Sequence, residues 1–190
     1  MINIHTLDSI SLADLDRIAP NYTSLHVYDV TRTETTEQIT LTLTLRKRDY
    51  PVVKPFPRTP DTAQYYQTLH KHGFCVGAYD STATIPLIGM VVADSQDWNG
   101  TLLVWEFHVA ESHRGRGIGR MMMDELVKRA ANAQLRIISV ETSTANVPAI
   151  HFYQRLGFTI DSIDLSFYSN NDLENGDIVV FMKRKLHPSK

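Results

Sequence analysis

A loop rich in glycine and arginine is the feature that most constrains how this chain folds. It runs from Arg114 to Gly119, between the apolar segment 102–109 and the helix-periodic segment 118–132. Glycine lets the backbone turn sharply and brings amide N–H groups close to a ligand. The first amides of a helix also lack an internal acceptor and carry partial positive charge. The segment therefore predicts a strand–loop–helix unit with an anion site suited to a pyrophosphate.

The loop does not match the two phosphate-binding motifs that are easiest to recognise. The pattern G-x-x-x-x-G-K-[ST] is absent, and G-x-G-x-x-G fails because Arg120 stands where its last glycine should be. What remains is the pattern Arg-x-x-Gly-x-Gly, at Arg114, Gly117 and Gly119. The alternative to an anion site is a glycine-rich turn whose arginines lie on a solvated surface.

A second motif follows the loop in the run VETSTANVPAIHFYQRLGF. Its key residues are Glu141, Asn146, Ala149, Tyr153, Arg155, Gly157 and Phe158. Together the two motifs resemble the GNAT superfamily of N-acetyltransferases, over about residues 100–160. The first resembles the pyrophosphate loop of that family, and the second its strand–helix segment ending in Y-x-x-x-G-F. The C-terminal run SIDLSFYSNNDLENGDIVVFMKRK resembles the streptothricin acetyltransferase branch.

The resemblance implies an α/β fold with a mixed, mostly antiparallel sheet of about seven strands flanked by helices. The fourth and fifth strands of that sheet would splay apart. The pantetheine arm of acetyl-CoA would then pair with the fourth strand, where the Val109 amide polarises the thioester carbonyl. The residues implied to bind acetyl-CoA are Phe107, His108, Val109, Arg114, Gly115, Arg116, Gly117, Ile118, Gly119, Arg120, Asn146, Ala149 and Tyr153.

The implied reaction is direct transfer of an acetyl group from acetyl-CoA to a primary amine in a ternary complex. Presenting an amine of pKa about 10.4 in its neutral form at pH 7 costs about 4.6 kcal/mol, so a base helps. Tyr153 matches the family's tyrosine and is the candidate acid for the departing thiolate; packing on the sheet is its alternative role. Glu141 and Glu106 compete as base, or instead pair with an arginine or orient substrate. His108 is a further candidate base.

Hydrophobic periodicity and turn residues predict the remaining elements. Helices are predicted over 11–19, 60–71 and 118–132, with a fourth that has Pro148 in its first turn and ends at Gly157. Strands are predicted over 38–46, 74–80, 85–94, 102–109, 136–142, 158–168 and 177–185. Four of the eight prolines lie in 51–60, which predicts an extended connector rather than a domain linker. The whole chain, 1–190, is predicted to form one domain.

Composition excludes several classes of function. The net charge of -2 is unlike the basic footprint of a nucleic-acid-binding protein. The N-terminus has no signal-peptide pattern, and the longest apolar stretch, 85–93, is too short to span a membrane. A single cysteine, Cys75, allows neither an intrachain disulfide nor a cysteine-based zinc site, and no metal is predicted. We therefore expect a cytoplasmic protein.

The acceptor amine is left open by the sequence. It is a small amine such as a streptothricin-like antibiotic or, alternatively, a protein N-terminus or lysine; a non-catalytic acyl-CoA-binding regulatory domain is the third reading. Oligomeric state is not readable either, and a homodimer is one option. Residues that either line an amine pocket or form ordinary surface are Tyr22, Tyr28, Asp29, Tyr65, Tyr66, Tyr168 and Asp172.

Overall fold

The computed structural model describes residues 1–7, 9–56 and 58–186. Its strands are β1 (Ile2–Thr6), β2 (Asn21–Glu34), β3 (Ile39–Pro55), β4 (Val76–Asp80), β5 (Leu87–Gln96), β6 (Thr101–Val109), β7 (Ile137–Ser143), β8 (Thr159–Asp164) and β9 (Val179–Lys185). Its helices are α1 (Leu12–Ile18), α2 (Pro60–Leu69), α3 (Ile118–Asn132), α4 (Val147–Arg155) and α5 (Asp172–Asn175), and short 3₁₀ turns span His70–His72 and Glu111–His113.

Seven strands form one sheet in the order β1-β4-β5-β6-β7-β9-β8, and β2 and β3 form a separate two-stranded sheet. The pairs β1–β4, β4–β5, β5–β6 and β8–β9 are antiparallel, whereas β6–β7 is parallel. The predicted mixed, mostly antiparallel α/β sheet flanked by helices is therefore confirmed. The predicted fourth and fifth strands are β6 and β7, because β1 and β2 were not predicted.

The chain segregates into two compact units. The first comprises Met1–Pro20, Pro55–Val140 and the segment from Arg184, and the second comprises Asn21–Lys54 and Glu141–Lys183. That the whole chain folds as one domain stays a prediction. Among the described residues, no helix is long and apolar enough to cross a membrane.

The first unit is built on the predicted helices. The side chain of Ser11 accepts from the Asp14 amide at 3.1 Å and starts α1, which buries Leu15 and Ile18. Thr59 caps α2 in the same way, and a left-handed Gly73 ends the 3₁₀ turn after it. Helix α3 occupies the predicted range and buries a stripe at helical spacing. That stripe consists of Ile118, Met122, Leu126 and Ala130.

The second unit holds the largest departure from the sequence prediction. Strand β3 continues to Pro55, so the predicted connector over 51–60 is wrong for its first half, and β2 was missed altogether. In a two-stranded sheet every strand is an edge strand, and an edge tolerates the missing N–H of Pro51. Strand β8 stops at Asp164 rather than at 168, because the Asp164 carboxylate accepts from the Ser166 amide and turns the chain.

Candidate active site

The glycine loop has the backbone that an anion site needs. Gly115 and Gly117 have φ values of 75° and 80°, in the left-handed region where a side chain is strained. A Cβ at either position would meet nothing within 4 Å, so backbone conformation and not space requires glycine there. Gly117 caps α3 without a side-chain hydrogen bond. In the described part of the chain, no protein acceptor is placed on the amides of Ile118 and Gly119.

The loop is fastened to the end of β6. Arg114 donates from Nε to the carbonyl of Val109 at 3.0 Å, and the amide of Ala110 donates to Ile88 on β5 at 2.8 Å. Opposite Val109, Gly89 allows close approach, since a Cβ there would lie 3.0 Å from both the His108 carbonyl and the Met122 sulfur. The structure thus brings together Val109 and the loop.

Strand β6 extends beyond the residues that pair with its parallel neighbour, β7. Its pairing with β7 joins Thr101–Val104 to Ile137–Val140, while β6 itself continues to Val109. The predicted cofactor positions Phe107, His108 and Val109 lie in this continuing part, where β6 is paired with β5. This agrees with a parting of the two strands beyond Val104.

Glu106 lies at the centre of a buried polar network in the first unit. Arg58, itself almost fully buried, donates to its carboxylate at 3.2 and 3.4 Å, and the Tyr66 hydroxyl donates to it at 3.3 Å. The His108 ring also contacts this carboxylate, and Arg58 makes a further bond of 2.7 Å to the Ala19 carbonyl. Glu106 therefore pairs with an arginine, which was one of its predicted alternative roles.

This network fixes the charge of Glu106. Burial acts to raise the pKa of its carboxyl, but the hydrogen bonds and charges of His108 and Arg58 outweigh burial and hold that pKa below its usual value. A carboxylate in an ion pair with Arg58 and hydrogen-bonded to His108 gains little by accepting a proton. Catalysis by Glu106 as the base stays a prediction, and the geometry favours a role in holding its neighbours.

Glu141 lies in the second unit and has different neighbours from those of Glu106. The Tyr168 hydroxyl donates to its carboxylate. Nearby, Asp177 accepts from the Ser143 hydroxyl at 2.5 Å and forms an ion pair of 2.7 Å with the ammonium of Lys54. We call these residues, together with Tyr22, the acidic tyrosine cluster. It comprises Tyr22, Lys54, Glu141, Ser143, Tyr168 and Asp177.

The phenols of this cluster are held neutral. Burial raises the pKa of Tyr22 to about 12, with the Asp177 charge adding to the effect. Burial also raises the pKa of Tyr168, and its hydrogen bond to Glu141 and the charges of Glu141 and Asp177 raise it further. Both hydroxyls therefore remain protonated at neutral pH, and that of Tyr168 donates to the Glu141 carboxylate.

Hydrogen bonds to the Asp172 carboxylate hold the loop that carries Tyr168. Asp172 is buried and accepts from the Tyr168 amide at 2.7 Å and from the Ser169 hydroxyl at 2.6 Å. The Ser169 hydrogen bond lowers the pKa of Asp172 despite burial, and backbone amides add to the effect. Phe167 stacks edge-on against Phe181 of β9 with ring centroids 5.5 Å apart. Asp172 thus serves the loop, and it is Tyr168 that reaches Glu141.

Helix α4 accounts for the rest of the second motif. The Asn146 side chain accepts from the Ala149 amide at 3.3 Å, so Asn146 is the N-cap of the helix. Tyr153 is buried, and its ring packs against Phe158 with centroids 5.5 Å apart. Left-handed Gly157 ends the helix, and the Phe158 amide returns to the Tyr153 carbonyl at 3.1 Å. Packing explains these residues locally, while the acid role of Tyr153 stays a prediction.

Cysteine and metal chemistry have no support in the described residues. Cys75 is buried, and burial raises the pKa of its thiol, which disfavours the nucleophilic thiolate. No group of three or more His, Cys, Asp or Glu side chains in the described ranges is placed to hold a metal ion.

A model of the Acetyltransferase (GNAT) family matches residues 39–158, which is more than half of the chain. The chain belongs to the GNAT acetyltransferase family. The glycine loop, Glu106, Glu141 and Tyr153 lie inside the matched segment, whereas Tyr168 lies beyond it. The membership predicted from the two motifs is confirmed.

Relatives of this GNAT acetyltransferase include streptothricin acetyltransferases. It is 30% identical over 139 residues to the streptothricin acetyltransferase of Streptomyces lavendulae, a match that covers 70% of each chain. It is 31% identical over 107 residues to the streptothricin acetyltransferase of Escherichia coli, covering 56% of this chain and 59% of the relative. The branch predicted from the C-terminal run is thus represented among its relatives.

Solved structures extend the similarity over nearly the whole chain. Nourseothricin acetyltransferase superposes with a TM-score of 0.73 at 27% identity, covering 98% of this chain and 99% of that one. A Bacillus anthracis protein crystallised with acetyl coenzyme A gives 0.72 at 18% identity, covering 97% and 99%, and supports the fold alone. The protein is an acetyl-CoA-dependent N-acetyltransferase, as the sequence resemblance implied.

Replacing Arg58 tests whether the Glu106 network stabilises the fold of this acetyltransferase. Arg58→Met leaves a buried carboxylate without its guanidinium and should lower the free energy of unfolding at pH 7 by about 3–5 kcal/mol. The exposed pair of Arg32 with Glu34 provides the control, and Arg32→Met should cost about 1 kcal/mol or less. Urea denaturation measures both.

The pH dependence of this loss follows from the lowered pKa of Glu106. The contribution of a carboxyl whose pKa is lowered by folding is complete above its unfolded value, 4.5, and is lost as the pH falls through the folded value. The difference between wild type and Arg58→Met should therefore shrink as the pH falls below 4.5. Equal losses for Arg58→Met and Arg32→Met at pH 7 would contradict the network.

Proposed function

We propose that this GNAT acetyltransferase acetylates a primary amine of a streptothricin-like antibiotic and so confers resistance to it. The observation that carries the proposal is the similarity to streptothricin and nourseothricin acetyltransferases, at 30% and 27% identity. The second of these extends over 98% of the chain and so includes the acidic tyrosine cluster, which lies partly outside the family match. We place the activity in the cytoplasm, where acetyl-CoA is available.

The acidic tyrosine cluster is the proposed binding site for the acceptor amine. It offers two carboxylates, Glu141 and Asp177, flanked by the phenols of Tyr22 and Tyr168. An ammonium group prefers carboxylate oxygens and aromatic faces. The cluster already holds one such group, since the ammonium of Lys54 lies 2.7 Å from Asp177. A cationic amine is therefore the acceptor chemistry that this site fits.

Acetyl-CoA supplies the activated thioester, and the residues of this chain bind it and move protons. The amides of Ile118 and Gly119 at the start of α3 are suited to a pyrophosphate, with Arg116 and Arg120 adding positive charge. Glu141 is the proposed acceptor of the ammonium proton, because Glu106 is already paired with the Arg58 guanidinium and hydrogen-bonded to His108. Tyr153 holds a proton on its hydroxyl that can pass to the departing thiolate.

The first experiment measures acetyl-CoA-dependent thiol release with a panel of acceptors. We expect kcat/KM for streptothricin to exceed that for short peptides with free N-termini or lysines by about a thousandfold, because a site built for one amine rejects others that leave its polar groups unpaired. Faster turnover of peptides would support protein acetylation instead. Acetyl-CoA binding by calorimetry without thiol release from any acceptor would support the regulatory-domain reading.

Glu141→Gln tests the proton-transfer step. The amide cannot take up a proton, so kcat should fall by about 10²–10⁴-fold, while acetyl-CoA affinity measured by calorimetry stays within twofold of wild type. Glu174→Gln, at an exposed position of α5, is the control. A kcat equal to that of wild type would assign proton removal to another group.

Tyr168→Phe tests the acceptor site without removing a carboxylate. Loss of the phenol releases Glu141 from its hydrogen bond, so KM for the amine should rise about tenfold, which corresponds to about 1.4 kcal/mol. KM for acetyl-CoA should not change. Tyr50→Phe, at a residue that is 83% exposed, is the matched control. An unchanged amine KM would remove Tyr168 from the acceptor site.

A further inference from the structure

Strands β2 and β3 form a long ribbon of only two strands. It has 14 residues in one strand and 17 in the other, and no third strand joins it in the described part of the chain. Its strand β2 is anchored within the second unit, because the Tyr28 amide donates to the Thr144 carbonyl at 3.0 Å. Isolated two-stranded ribbons are marginally stable, and three or more strands with an apolar face are needed for independent stability.

The first half of β3 is unprotected against pairing with another chain. Its residues alternate apolar and threonine from Ile39 to Leu45, and Ile39, Leu41 and Leu45 are 61%, 39% and 44% exposed. Exposed edge strands of this kind template pairing with a further strand unless charges or proline block them. Such blocks begin only at Arg46 and continue with Lys47, Arg48 and Pro51.

The charges that flank this segment are complementary to one another. Glu37 lies five residues before Thr42 and Lys47 lies five residues after it. Within the described residues, neither side chain forms an ion pair. Glu37 lies in the turn just before β3, whereas Lys47 lies within the strand. An antiparallel copy related by a two-fold axis at Thr42 would bring each Glu37 level with a Lys47 of the other chain.

The same axis also aligns the apolar residues. It sets Ile39 opposite Leu45 and Leu41 opposite Leu43 of the second copy, all on one face, since side chains alternate along a strand. Moving the axis to residue 43 would set Glu37 against Asp49 and Ile39 against Lys47. Moving it to residue 41 would set Glu37 against Leu45. Only the axis at Thr42 satisfies both the charges and the apolar row.

We propose that two copies of this chain dimerise through the edge of β3 in this register, forming a four-stranded sheet β2-β3-β3-β2. Backbone hydrogen bonds between residues 39 and 45 would join the copies, and the apolar row would become one continuous face. The proposal does not rest on the identity of the acceptor, because the residues it uses lie outside the acidic tyrosine cluster.

The test uses charge reversal and sedimentation velocity on the full chain over a range of concentrations. Wild type should be a dimer. Glu37→Lys and Lys47→Glu should each weaken the dimer about tenfold, because each change creates two like-charge contacts per dimer. Glu174→Lys, a reversal at an exposed position outside residues 37–47, should have no effect. Thermal unfolding of each variant confirms that it is folded.

Mixing the two single variants makes the test specific for the register. A mixed dimer of Glu37→Lys with Lys47→Glu has two opposite-charge contacts, so an equimolar mixture should dimerise as wild type does. The double variant in one chain should also recover. A monomeric wild type, a dimer insensitive to both reversals, or a mixture that fails to recover would each overturn the proposal; dimerisation through another surface gives the second of these results.

Discussion

The left-handed backbone of Gly117 is the constraint on which the first unit depends. It starts α3 at Ile118 and so sets which residues of the helix face the sheet. With that start, Met122 and Leu126 are fully buried, and the Met122 sulfur comes against the close-approach position at Gly89. The same turn leaves the first helix amides without an acceptor inside the helix, which the proposed pyrophosphate site requires. The packing of α3 and the proposed anion site thus depend on the same backbone geometry.

Elements with local signals could be predicted from the sequence, and α3 is the clearest case. Its stripe, its glycine start and its length are all encoded within the segment 115–132, and the structure reproduces the predicted range. Strand β2 has no such signal, because NYTSLHVYDVTRTE mixes apolar and polar residues without strict alternation. It is a strand because it pairs with β3, and pairing is a tertiary property that propensity does not report.

The site residues likewise divide into those with a local sequence signal and those brought together only by tertiary contacts. The glycine loop and the helix containing Tyr153 carry motifs within short segments, so the sequence predicts them. Arg58 and Glu106 are 48 residues apart, and Tyr168 and Glu141 are 27 apart, so no spacing rule links them. Arg58 in particular is a lone arginine in a proline-rich stretch, and sequence reasoning gave it no role. Only the fold shows that it neutralises Glu106.

These distant partners give the two candidate bases different chemistry. Glu106 lies between a guanidinium and an imidazole, and that surrounding charge holds its pKa low, so its proton affinity is small. Glu141 accepts from the phenol of Tyr168, which burial and nearby carboxylates keep neutral. The Tyr168 phenol is a neutral donor, so it orients the Glu141 carboxylate without adding positive charge, which suits the proton transfer that we propose for Glu141. In the proposed mechanism this difference assigns Glu106 to structure and Glu141 to proton transfer.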